Sequence, residues 1–143
     1  MNQRQRKKLS RALVTAALLG DTTRAKALLR AGADPRRADR EGTTPLYSAS
    51  VHGAAEIARL LLAAGATADT ESGHGDQGTP LCAAACWGHT ETVRALLAYG
   101  ADPNLREDHG TGLSPLKWAT NGPHPETVAL LVEAGAVSGR AHW

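Results

Sequence analysis

Three stretches of the chain superpose on one another without a gap: TPLYSASVHGAAEIARLLLAAGA from Thr44, TPLCAAACWGHTETVRALLAYGA from Thr79, and SPLKWATNGPHPETVALLVEAGA from Ser114. Pro45, Pro80 and Pro115 stand 35 residues apart. Glu56, Glu91 and Glu126 keep that register, as do Gly65, Gly100 and Gly135. A degenerate copy, RALVTAALLGDTTRAKALLRAGADP, starts at Arg11 and puts Gly20 and Gly32 33 residues before Gly53 and Gly65. Self-similarity at such a period restricts the chain to a stack of like units, each burying its apolar face on its neighbours.

Each copy reads as a pair of helices. Thr or Ser followed by Pro is an N-cap with proline at the first helical position, where a missing N–H costs nothing. Leu46, Ala49 and Ser50 then follow at helical spacing, as do Leu81, Ala84 and Ala85. The first helix is expected to stop near Gly53 or Gly88, where a turn with positive φ suits glycine. A second helix follows, with Leu60, Leu61 and Leu62, or Ala95, Leu96 and Leu97, supplying bulk. Gly65, Gly100 and Gly135 are expected to end it as left-handed caps.

Composition agrees with layers more than with a bulky centre. The 143 residues are 42% hydrophobic, yet they include no Phe, one Met, three Trp and two Tyr. Small residues on the first helix let repeats approach closely, while leucines on the second fill the wider layer. Charge is segregated: residues 1–41 carry 11 Lys and Arg against 4 Asp and Glu, whereas residues 42–143 carry 5 against 10.

The T-P-L, A-A and G-H elements, the leucine pair and G-A-D-P-N together resemble the ankyrin repeat. TPLCAAACWGHTETVRALLAYGADPN matches that pattern at nearly every position. The resemblance spans about residues 9–137 and implies an all-α solenoid of four stacked helix–turn–helix units with β-hairpin-like finger loops and a concave face. Repeats fall at about 9–41, 42–76, 77–111 and 112–137. A basic tail or cap extension (1–8) precedes them and a tail (138–143) follows. The chain departs from the pattern where Tyr47, Cys82 and Lys117 replace the family's T-P-L-H histidine, and where Pro123 replaces the inter-helix glycine of the last repeat. The second and third linkers are two residues longer than the first, so their fingers are expected to be longer and looser.

The resemblance also implies where a partner would bind. The two residues before each inter-helix glycine point to the groove in such stacks. Here they are Leu18 and Leu19, Val51 and His52, Cys86 and Trp87, and Asn121 and Gly122. Trp87, in the middle of this stripe, is the expected anchor, since Trp buries much area and is over-represented among binding hot spots. Finger positions Arg40, Glu41, Thr43, Asp76 and Leu113 complete the surface, and Tyr99 is a candidate extension. Trp118 is assigned to packing, and His89 and His124 to structural hydrogen bonds.

The expected function is that of a protein–protein interaction module or adaptor, not an enzyme. The alternative is a small-molecule or catalytic site around His52, Cys86, Trp87 and Asn121. Cys82 and Cys86 are a poor disulfide pair, and the chain reads as a reduced, cytoplasmic protein. His74 and His109 have no close zinc-type ligand spacing, and no metal or cofactor is expected. No apolar run reaches the ~18 residues of a membrane span, and no secretory leader is recognisable. Nucleic acid is not the expected partner of the basic end, because no aromatics interleave it. The last repeat, richer in apolar residues than a solenoid end should be, is a candidate for weak self-association.

Overall fold

The computed structural model describes residues 2–74 and 77–137; Asp76 and the tail at 138–143 lie outside the described residues. Helices run in pairs: α1 (Gln3–Leu19) with α2 (Thr22–Arg30), α3 (Pro45–His52) with α4 (Ala55–Ala63), and α5 (Pro80–Cys86) with α6 (Thr90–Ala98). After a single turn, α7 (Glu107–Gly110), come α8 (Pro115–Asn121) and α9 (Pro125–Glu133). The first members stack as an inner row, α1 on α3 on α5 on α8, and the second members as an outer row, α2 on α4 on α6 on α9. The all-α repeat solenoid expected from the sequence is the fold observed, with four helix pairs.

Local chemistry starts the helices where the sequence placed them. The hydroxyls of Thr44, Thr79 and Ser114 accept hydrogen bonds from the backbone N–H three residues on, at 3.1, 3.3 and 3.1 Å. Proline follows each cap at the first helical position. Asp21 caps α2 in the same way. The basic residues Arg4 to Lys8 are wound into α1, which starts in a capping box between Asn2 and Gln5.

Glycine and histidine interlock successive repeats. Gly53 and Gly88 turn the chain at φ 68° and 70°. Each also leaves space for an imidazole from the next repeat: a Cβ at either position would lie 2.5 Å from Nδ1 of His89 or His124. The filled space has a purpose, because His89 Nε2 lies 3.0 Å from Val51 O and His124 Nε2 lies 2.9 Å from Cys86 O. The last carbonyls of α3 and α5 thus find partners one repeat away. Pro123, with φ fixed negative, cannot make this turn, and Gly122 before it stays helical at φ −55° and ψ −40°.

Between the rows lies the core. Ala16, Ala17, Ala49, Ala84, Ala85 and Ala119 are wholly buried along the inner helices, and Ile57, Leu61, Val93, Leu96 and Leu131 are buried beneath the outer ones. Alanine at the inner contacts keeps the helices close; the bulk sits where the layer is wider.

The fingers are narrower than full hairpins. Each is closed by a backbone pairing: Asp39 N–H to Thr43 O at 2.9 Å, Ser72 N–H to Gly78 O at 2.8 Å, and Glu107 N–H to Leu113 O at 3.2 Å. The first and third are also closed by Gly42 N–H to Asp39 O at 3.0 Å and Gly112 N–H to Glu107 O at 2.8 Å. The two extra residues of the later linkers fall inside these closures, so the second and third fingers are longer, as expected. The described parts are not loose, however. Gly73 N–H donates to Gly42 O at 2.7 Å, Thr44 N–H to Ser72 Oγ at 3.1 Å, and His109 N–H to Glu71 Oε1 at 2.9 Å, tying each finger to the next.

Candidate partner-binding groove

The inner helices and the second and third fingers wall a groove of about 440 Å³, within the ~300–1,000 Å³ common for ligand clefts. Helix α3 contributes Tyr47 and Val51, α5 contributes Cys82, Ala83, Cys86 and Trp87, and α8 contributes Trp118. Gln77 and Gly78 of the second finger, with Glu107 and Asp108 of the third, form the opposite wall. At the third, fourth and seventh positions of their helices, with Trp87 at the cap of α5, the inner-helix side chains share the face turned to the fingers. Trp87 caps α5 at φ −95° and ψ 0°, and its side chain is 62% exposed. Among the described residues of a chain so poor in aromatics, three of four aromatic side chains line this one cleft.

The carboxylate of Glu107 is held in place. Trp118 Nε1–H donates to Glu107 Oε2 at 2.8 Å, so the indole both packs against the core and fixes the finger. Its other oxygen lies over Gly78, where any Cβ would collide with it. Burial pushes the Glu107 carboxyl above its ordinary pKa; the Trp118 bond opposes that shift, and the negative charges of Asp108 and Glu71 add to it. Asp108 and His109 reach this wall through left-handed backbone, φ 52° and 55°.

The thiols are quiet. Cys82 Sγ–H donates to Leu105 O at 3.8 Å and Leu113 O at 3.6 Å, which lets a thiol replace histidine at this position in tying helix to finger. Burial pushes the Cys82 pKa up to about 12. Burial, and then the charge of Glu107, raise that of half-buried Cys86 as well. A nucleophilic cysteine requires the opposite shift.

The expected site residues divide by location. Val51, Cys86 and Trp87 meet in the groove. Leu19, 72% exposed, belongs to the outermost repeat, and His52 and Asn121 are exposed without lining the cleft. Arg40 and Glu41 border another hollow, with Arg11 and Thr15, between α1 and the first finger. Thr43 is engaged with Gln77, whose Nε2–H donates to Thr43 Oγ1 at 2.8 Å. Leu113 is half-buried, and its carbonyl accepts from Cys82 and from Glu107 N–H. Tyr99, 49% exposed, ends α6 in the outer row. His109 Nδ1 lies 3.2 Å from Glu71 Oε2.

Tyr47, Trp118, Glu107 and Asp108 were not among the expected groove residues. Tyr47 and Cys82 share the T-P-L-x position, so that position facing the fingers was a readable signal. Glu107 and Asp108 gave none, since their place depends on the course of the third finger.

Four stacked helix pairs, closed fingers and a cleft along the inner row define a class. The family model for ankyrin repeats (three copies) matches residues 2–72 and again 68–140, and the chain belongs to that family, whose repeats are in general protein-interaction modules. A 59-residue stretch is also 37% identical to the potassium channel KOR1 of Oryza sativa subsp. japonica, covering 41% of this chain but only 7% of the channel. No helix among the described residues is long and apolar enough to cross a membrane.

Proposed function

We propose that this chain is an adaptor or interaction module that holds a partner protein in the groove between its inner helices and fingers, with Trp87 as the anchor. The observation that carries the reading is the position of Trp87. A large side chain left 62% exposed at the edge of a cleft contributes little to folding and offers much area to a partner. Inner helices and tied fingers hold the surrounding side chains in place beforehand, which lowers the entropy lost on binding. His52, Asn121, Leu19, Arg40, Glu41, Thr43, Leu113, Tyr99 and Asp76 belong to the same proposal as peripheral contacts.

Affinity capture from the native cell extract, wild type against Trp87→Ala, tests it. The two proteins should melt alike, and a partner retained by the wild type should be lost by the variant. A partner held equally by both contradicts the groove as the site. Unpaired thiols, one donating to two carbonyls, suit the reducing, cytoplasmic setting we assign to the protein. Val132 and Val137, 54% and 59% exposed, mark the surface on which the last repeat would self-associate. Sedimentation of the wild type and Val132→Lys across concentration tests that contact, and a monomer throughout removes it.

A further inference from the structure

The groove is aromatic along its inner helices and anionic along the edge formed by the third finger. Tyr47, Trp87 and Trp118 supply aromatic side chains, while Glu107 and Asp108 supply carboxylates to the same cleft. None of the ion pairs among the described residues involves either carboxylate. Nearby basic groups are engaged elsewhere or lie outside the lining: His109 pairs with Glu71, Arg106 Nε–H donates to Gly112 O, and Lys117 is exposed without lining the cleft. Glu107 is therefore a partly dehydrated carboxylate with a neutral indole N–H as its side-chain partner. A carboxylate in that state is incompletely compensated and gains most from a cation brought by a ligand. Indole faces attract the same kind of group through their negative ring quadrupole.

We propose that this groove receives an arginine side chain from a basic segment of the partner protein, its guanidinium lying against the Trp87 and Trp118 rings and paired with Glu107. Arginine fits better than lysine on two counts. Its planar head stacks on an indole, and its fork of donors matches a carboxylate whose plane is already fixed, here by Trp118. Oε1 of Glu107 lies over Gly78 in the space a side chain there would take, which holds the carboxylate at this wall, and exposed Asp108 adds a second charge that steers the approach. This deepens the partner-binding reading above and rests on it.

Indole N–H resonances report on the site directly, because one of them is the Trp118 donor to Glu107. The probe is N-acetyl-arginine-N-methylamide, titrated to millimolar concentrations against isotopically labelled protein, with N-acetyl-glutamine-N-methylamide as the uncharged control. The arginine derivative is expected to shift the Trp118 and Trp87 signals saturably, and the glutamine derivative to leave them in place. Glu107→Gln keeps an acceptor for Trp118 but removes the charge, and should weaken the response about tenfold, the order of one charge-assisted hydrogen bond. No response to the arginine derivative, an equal response to both probes, or an undiminished response in Glu107→Gln overturns the inference. Capture with the two variants separates it from the reading beneath it. A partner lost with Trp87→Ala but kept with Glu107→Gln leaves the groove as the interface and removes only the arginine. A partner kept with both removes the interface itself.

Discussion

Cys82 shows what a single buried atom decides. Its thiol occupies the position where the family keeps a histidine, and it still ties α5 to the third finger by donating to Leu105 O and Leu113 O. Because the fold holds it protonated, with a pKa near 12 against an ordinary 9.0, stability from this group is intact below pH 9 and is lost as the pH climbs toward 12. Thiol-reactive probes at neutral pH should therefore label both cysteines slowly, Cys86 before Cys82; rapid labelling of either would revive thiol catalysis. His89 and Gly53 form a second residue-scale pair. Gly53→Ala forces a side chain into left-handed backbone and into the imidazole, and should cost about 2 kcal/mol in a denaturant melt. His89→Ala strands the Val51 carbonyl and should cost about 1–2 kcal/mol. If either variant melts like the wild type, the interlock carries no energy.

At the scale of the elements, helices obey local chemistry and fingers do not. Thr79→Ala removes the hydroxyl cap of α5 at a buried site and should destabilise by about 1 kcal/mol. The caps were legible because a cap needs only its own residue and the next few. Inter-helix glycines were legible for the same reason, as were the small inner-row residues through their period. Trp118 and Glu107 were not, since their bond joins a helix to a finger whose route depends on left-handed Asp108 and His109. Asp and His are enriched at positive φ among non-glycine residues, but too weakly to predict two such residues in a row. The register of the stripe found Val51, Cys86 and Trp87 in the cleft, and missed the opposite wall, which no single helix period encodes. Glu107 carries a measurable signature of that wall. With its folded pKa raised, the group favours folding below its unfolded value and loses that contribution as the pH rises through the folded one. Wild type and Glu107→Gln should therefore melt alike near pH 4, with the variant gaining as the pH increases. A wild type that gains instead would mean that the carboxylate is well compensated.

Over the whole molecule, charge and shape run along one axis. The end near α1 is basic, where Lys7, Arg11, Arg37 and Arg40 surround a hollow with Asp39. The centre is aromatic and acidic, with Trp87 and Trp118 facing Glu107 and Asp108. A partner segment that follows the groove would thus meet opposite charges at its two ends, which fixes its direction as well as its place. Exposed ion pairs on the outer row, Lys26–Glu56 at 3.8 Å and Arg59–Glu91 at 3.5 Å, link repeats on the other side but add little stability. Stability comes from nearest-neighbour stacking, so the rigid inner row can present a binding surface without being rebuilt by it.

The central claim is that a protein partner lies in this groove. Amide hydrogen exchange of the chain, free and with its captured partner bound, tests it most directly. Protection should concentrate on α3, α5, α8 and the finger residues 77–79 and 105–113, leaving the outer helices α4, α6 and α9 unchanged. Protection confined to the outer row, with the groove exchanging as in the free protein, would contradict the account.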